Sequence, residues 1–193
     1  AAFTPGAPNN VTGSTVALPP VFLSEVVPNN AGGIRDGSGE REPWVELVNQ
    51  GSEPVSLAGW ALSDSFAQLA RWIFPAGAAL APGEHRVVFL DGEATEGTPT
   101  EWHASFRPAL PTGVVVLGGP GANGVVVADY LGYVGALPDT GYALPPVGAA
   151  GISMAVVPTP GEPNAGAVNQ APVFVPVPSL SATVGSRLLR TLE

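Results

Sequence analysis

His85 and His103 are the two side chains of this 193-residue sequence whose ordinary pKa lies near neutrality, so acid–base chemistry at physiological pH would rest on them. His85 opens the strand-like run His85-Arg86-Val87-Val88-Phe89-Leu90, and His103 follows Trp102 ahead of another strand-like piece. No Gly-x-Ser-x-Gly nucleophile elbow occurs, although a Ser-His-Asp constellation is spatial and composition alone leaves it open. His103 is expected to be structural, bonded to a neighbouring carbonyl. The two histidines do not sit at metal-binding spacing, so no zinc site is expected.

Carboxylates are more plentiful. Asp36-Gly37-Ser38-Gly39-Glu40-Arg41-Glu42 places oxygen ligands on alternate residues of a Gly-rich stretch, which is how a hard cation is held. Asp36, Ser38, Glu40 and Glu42 are therefore the candidate calcium ligands, and no other cofactor is expected. The alternative is a solvated acidic loop in which Arg41 neutralises Glu40 or Glu42. Glu25 and Glu46 interrupt apolar runs and must be paired with an Arg, bonded to backbone N–H groups, or engaged in binding. Asp64 with Ser63 is expected to cap a turn. Trp44, Trp72 and Trp102 could form a sugar-binding platform, with Trp60 in the core; aromatics are 7% of the chain, so most are needed for packing.

The elements that must position these groups read as strands. From Glu42 to Asp64, Val45 and Leu47 alternate with Trp44, Glu46 and Val48, the period of two of a strand. Asn49-Gln50-Gly51-Ser52 then allows a reversal, and Val55 to Leu57 and Trp60 to Asp64 resume the pattern. Val21–Val27, apolar on both faces except for Ser24 and Glu25, and the runs Arg71–Phe74 and His85–Leu90 also read as strands. Val114–Leu117 and Val125–Leu131 flank Gly118 to Gly124, which predicts a hairpin with a long turn. Pro28 to Pro43 and Asp91 to Thr100 read as loops, the latter solvated. No ten-residue window carries a helical period. The pattern predicts an all-β, immunoglobulin-like β-sandwich of about seven to nine strands.

Composition bounds the rest. At 45% hydrophobic the chain can close one core of ordinary size, and its 25 Gly and 22 Pro fall between apolar runs, as turn punctuation. A net charge of −9, with arginine supplying every one of the seven basic residues, disfavours nucleic acid. Without cysteine there is no disulfide, thiolate site or thiol nucleophile. No segment approaches the roughly 20 apolar residues of a membrane span, and the N-terminus lacks the features of a secretion signal.

Phe3-Thr4-Pro5-Gly6-Ala7-Pro8-Asn9 recurs almost unchanged as Pro158-Thr159-Pro160-Gly161-Glu162-Pro163-Asn164. A repeat at domain spacing implies tandem copies. Residues 1–20 are therefore expected to end a preceding repeat and lead through a linker, 21–164 to form the sandwich, and 165–193 to be a linker and the start of a following module.

The order Leu23-Ser24-Glu25-Val26, Trp44-Val45-Glu46-Leu47-Val48-Asn49 and Glu53 to Asp64 resembles the lamin-tail domain in its bacterial form. Trp72-Ile73-Phe74-Pro75-Ala76-Gly77, Leu80-Ala81-Pro82-Gly83, Val87-Val88-Phe89, His103-Ala104-Ser105-Phe106 and the closing Pro158–Asn164 follow in the same order. Asn169 to Phe174 is similar to the opening strand of a cadherin-like or immunoglobulin-like repeat. The chain departs from the family pattern at Asp91–Glu101 and Thr140–Val157. The resemblance implies an immunoglobulin-like sandwich of the kind found in large secreted or surface proteins. The expected function is a non-catalytic spacer, adhesion or docking module of a multidomain exported or cell-surface bacterial protein. Its partners would be neighbouring domains or other surface proteins, and the isolated domain would be monomeric. The alternative is a calcium- or carbohydrate-binding accessory domain serving an attached hydrolase or nuclease.

Overall fold

The structure, a computed structural model, describes residues 18–144 and 153–164. The linkers and flanking modules expected within 1–17 and 165–193 lie outside these residues. The described residues form an immunoglobulin-like β-sandwich. One sheet has the order β12-β11-β1-β2-β7-β8, from β12 (Met154–Val156), β11 (Gly141–Ala143), β1 (Val21–Val27), β2 (Trp44–Asn49), β7 (His85–Phe89) and β8 (Trp102–His103). Only β7 and β8 run parallel in it. The second sheet has the order β10-β9-β4-β5, from β10 (Gly124–Tyr133), β9 (Gly113–Gly121), β4 (Ala61–Ser63) and β5 (Trp72–Ile73). A two-stranded ribbon of β3 (Val55–Ser56) and β6 (Ala79–Leu80) sits beside them.

Seven to nine strands were expected and twelve segments are present among the described residues; four of them are two residues long, and two of these, Ala79–Leu80 and Trp102–His103, are bridges too short to leave an alternating signature. No α-helix occurs there, only a 3-10 turn at Ala94–Glu96.

The interior follows from alternation. Val45 and Leu47 of β2 meet Trp60, Leu62, Leu117 and Leu131 of the opposite layer in one buried cluster. Fully burying a Leu such as Leu47 contributes roughly 1.5–3 kcal/mol. Trp60 lies in this core, as its position between Gly59 and Leu62 predicts.

All six residues of β2 are buried, so its outer face is covered as well. Trp44, Val27 and Phe89 form a second, small apolar cluster there, with Ile34 of the 28–43 loop packed against it.

The predicted long turn in the β9–β10 hairpin is overturned. The strands run on through Gly118, Gly119 and Pro120, which pair with Val127, Val126 and Val125, leaving Ala122-Asn123 as the turn. The glycines serve packing here: a Cβ on Gly118 would meet Val125 Cγ1 at 2.3 Å. Gly124, at φ 119, takes the turn's backbone conformation that other residues resist.

Candidate functional site

At one end of the sandwich the 28–43 loop meets the 90–101 loop, and their acids converge on His103. His103 is buried because β8 pairs with β7 in the register Phe89↔His103, which also lays the imidazole beside the Phe89 ring at 5.2 Å. Its Nδ1 bonds the buried Asp91 carboxylate and its Nε2 lies 3.2 Å from Glu101 Oε1. Burial pulls the imidazole down, but its two carboxylate partners outweigh burial and the net pKa is raised. The expected partner of His103 was a carbonyl; the partners are carboxylates.

Two hydrogen bonds stitch the loops together. Gly37 N donates to Glu101 Oε1 at 2.9 Å and Ser38 Oγ to Glu96 Oε2 at 2.9 Å. A Cβ on Gly37 would lie 2.7 Å from Glu101 Oε1, so a larger residue there would push the Glu101 carboxylate aside. Asp36 Oδ1 accepts from Glu40 N at 2.8 Å, closing the loop on itself.

Of the four residues singled out as calcium ligands, the structure brings Asp36 together with Glu96 and His103, and Glu40 together with Glu93 and Glu96. Ser38 reaches the same cluster through Glu96. Glu42 does not join them; its carboxylate pairs with Arg107 at 2.5 Å. Sequence reasoning missed Asp91, Glu93, Glu96 and Glu101 as neighbours of that loop. The acidic count of the 91–101 segment was the available signal, and it equally marks a solvated loop.

A second constellation lies on the outer face of the six-stranded sheet. Glu25 and Glu46 are cross-strand neighbours on β1 and β2, both fully buried. Glu46 Oε1 lies 2.7 Å from His85 Nδ1, and Glu46 Oε2 accepts from Gly161 N at 2.6 Å. Glu25 Oε2 accepts from Thr159 N at 3.1 Å, and Asn164 Nδ2 donates to Ser24 O at 3.0 Å. Of the roles expected for these acids, backbone bonding is present: they hold the closing segment Pro158–Asn164 onto the sheet, and Glu46 also meets His85. Glu25 Oε1 has no partner, and burial pushes its carboxyl up to about 7, with the Glu46 charge adding to the rise and the Thr159 bond opposing it.

The remaining expectations divide. Ser63 Oγ accepts from Ser65 N at 3.0 Å and caps the turn, whereas Asp64 pairs with Arg71. Trp44 and Trp102 are buried, which removes them from any sugar platform. Trp72 is half-buried and packs edge-to-face on Phe74, which in turn meets Trp102, so these rings serve the core. A groove of about 470 Å³ runs past Trp72, Trp102 and His103. In the bonds described, neither histidine meets a serine hydroxyl: His85 faces Glu46, and His103 faces Asp91 and Glu101.

The Lamin Tail Domain family matches residues 15–130, more than half of the chain. The chain belongs to the lamin tail domain family. The matched stretch of this lamin tail domain holds β1 to β9 and most of β10; β11, β12 and the closing segment lie beyond it. No curated protein matches the chain. The family is one of non-catalytic, immunoglobulin-like interaction domains. No helix among the described residues of the lamin tail domain is long and apolar enough to cross a membrane.

Proposed function

We propose that this lamin tail domain is a contact module, used for spacing, adhesion or docking, in a large multidomain bacterial protein that is exported or displayed on the cell surface. The observation that carries this reading is β10. It is ten residues long and stands at the edge of its sheet, and among the described residues no strand pairs with its outer side. Val126, Val127 and Tyr130 on it are exposed, and Phe66 meets the Tyr130 ring edge-to-face at 5.4 Å. A long strand edge with apolar side chains offers both ladder hydrogen bonds and area to a neighbouring module. The net charge of −9 keeps copies apart where that contact is not made.

Hydrogen exchange compares the chain alone with the assembled parent protein. Outward β10 amides exchange more slowly in the assembly under this reading; equal exchange along all of β10 removes it.

A further inference from the structure

We propose that Asp36, Glu96 and His103 hold a first-row divalent transition metal, zinc by preference, where the two loops meet. One ligand atom from each residue lies within 4.8 Å of the others, a span that metal–ligand bonds of about 2.1 Å close with small side-chain movements. Convergence of acids alone would mean little. Two further features point to a ligand.

Asp36 is 7% exposed, and its Oδ2 is buried without a hydrogen-bond partner. An ionised oxygen in that position is costly unless a cation or donor meets it. His103 supplies the other feature. With Nδ1 fixed on the buried Asp91 carboxylate, Nε2 is turned toward the acidic cluster, where Glu101 Oε1 lies 3.2 Å away. A carboxylate behind one ring nitrogen with the other nitrogen facing acids is how metal-bound imidazoles are oriented and made more basic.

The donor set selects the metal. Calcium and magnesium take oxygen ligands, whereas one imidazole with two carboxylates suits zinc or manganese. Glu40 and Glu93 form an overlapping group that shares Glu96 and adds negative potential around the cation. Glu42, spent on Arg107, is outside the set. Histidine spacing in the sequence argues against zinc because it tests pairs on one element; here a single histidine meets acids from two separate loops.

The test uses the full, tag-free chain, stripped with chelator and titrated with zinc, manganese or calcium by calorimetry and thermal melting. Zinc is expected to bind at one site and raise Tm. Asp36→Asn and Glu96→Gln should weaken zinc at least about tenfold, as should Asp91→Asn through loss of the imidazole's orientation, while Glu42→Gln leaves it unchanged. Because His103 is buried, His103→Gln is paired with an absorption spectrum of the cobalt-loaded native chain. Intense d–d bands of a four- or five-coordinate site support the proposal, and the weak spectrum of a six-coordinate site overturns it. Absence of any zinc response, or zinc binding unchanged in both Asp36→Asn and Glu96→Gln, also overturns it, as does calcium binding tighter than zinc.

Discussion

Leu23 and Asp129 are joined across the two sheets: the Leu23 amide donates to Asp129 Oδ2 at 2.8 Å. Both strands are irregular at that point. β1 shifts register between Leu23 and Glu25, and β10 shifts between Val127 and Asp129. A bulge leaves a backbone group without a ladder partner. Here the carboxylate of one bulged strand serves the amide of the other. Asp129→Ala is expected to cost about 1–3 kcal/mol by leaving the Leu23 amide unpaired. Chemical denaturation measures this; a loss within experimental error would mean that the bond contributes nothing.

The carboxyl of Glu25 sets a pH dependence. Burial raises its folded value to about 7 from an ordinary 4.5, so between those two pH values the folded state holds the proton more tightly than the unfolded state. This contribution is complete below 4.5, is lost as pH rises toward 7, and is constant above. Glu25→Gln removes it. The stability of native protein relative to Glu25→Gln should fall by about 2–3 kcal/mol from pH 4.5 to 8. Parallel stability curves for the two proteins would contradict the shift.

Gly141 on β11 faces the same side chain. A Cβ there would lie 1.7 Å from Glu25 Oε1 and 3.0 Å from a Val156 methyl. Gly141→Ala is expected to destabilise by about 1–3 kcal/mol, with Thr159 and Gly161 amides losing exchange protection first. Gly39→Ala is the contrast, because nothing lies within 4 Å of its added methyl and only its φ of 86 resists the change. A Gly141→Ala protein as stable as native would show that Glu25 can move aside.

Removing the closing segment should have a larger effect than removing either of its contacts. Asn164→Ala deletes bonds to Ser24 O and Ser24 Oγ and should cost about 1–2 kcal/mol. Truncation after Val157 also strips Glu25 and Glu46 of the Thr159 and Gly161 amides, leaving two buried acids without these donors. The truncated chain should lose more stability than Asn164→Ala and Glu25→Gln combined, as read from denaturant midpoints. A smaller loss would mean that water replaces the segment without cost.

The sequence made the long strands legible because Val21–Val27, Trp44–Asn49 and His85–Phe89 are apolar, β-branched or aromatic runs bounded by turn residues. It hid Ala79–Leu80 and Trp102–His103, which pair over two residues only. It misplaced the β9–β10 turn because glycine is a turn residue by propensity, whereas Gly118 is chosen for the Val125 methyl above it. Glu25 and Glu46 stood out as misfits in apolar runs, yet their partners lie 134 and 115 residues away, beyond any local pattern. Asp36 was found by its loop. His103, Asp91, Glu96 and Glu101 join it only through the parallel pairing of β7 and β8, a non-local event that spacing does not encode.

The Asn164 bond to Ser24 also bears on how the folded unit sits in a longer polypeptide. Ser24 is three residues into β1, so the strand that opens the body and the segment that closes it come within about 10 Å. As one module of a multidomain protein, the reading proposed above, a unit tethered in this way would hang from the side of the chain of modules like a pendant and add little to its end-to-end reach while intact. Pulled open under tension, the same stretch would release on the order of 500 Å of slack, and in that setting the clamp at Asn164 would be the catch on a reserve of length.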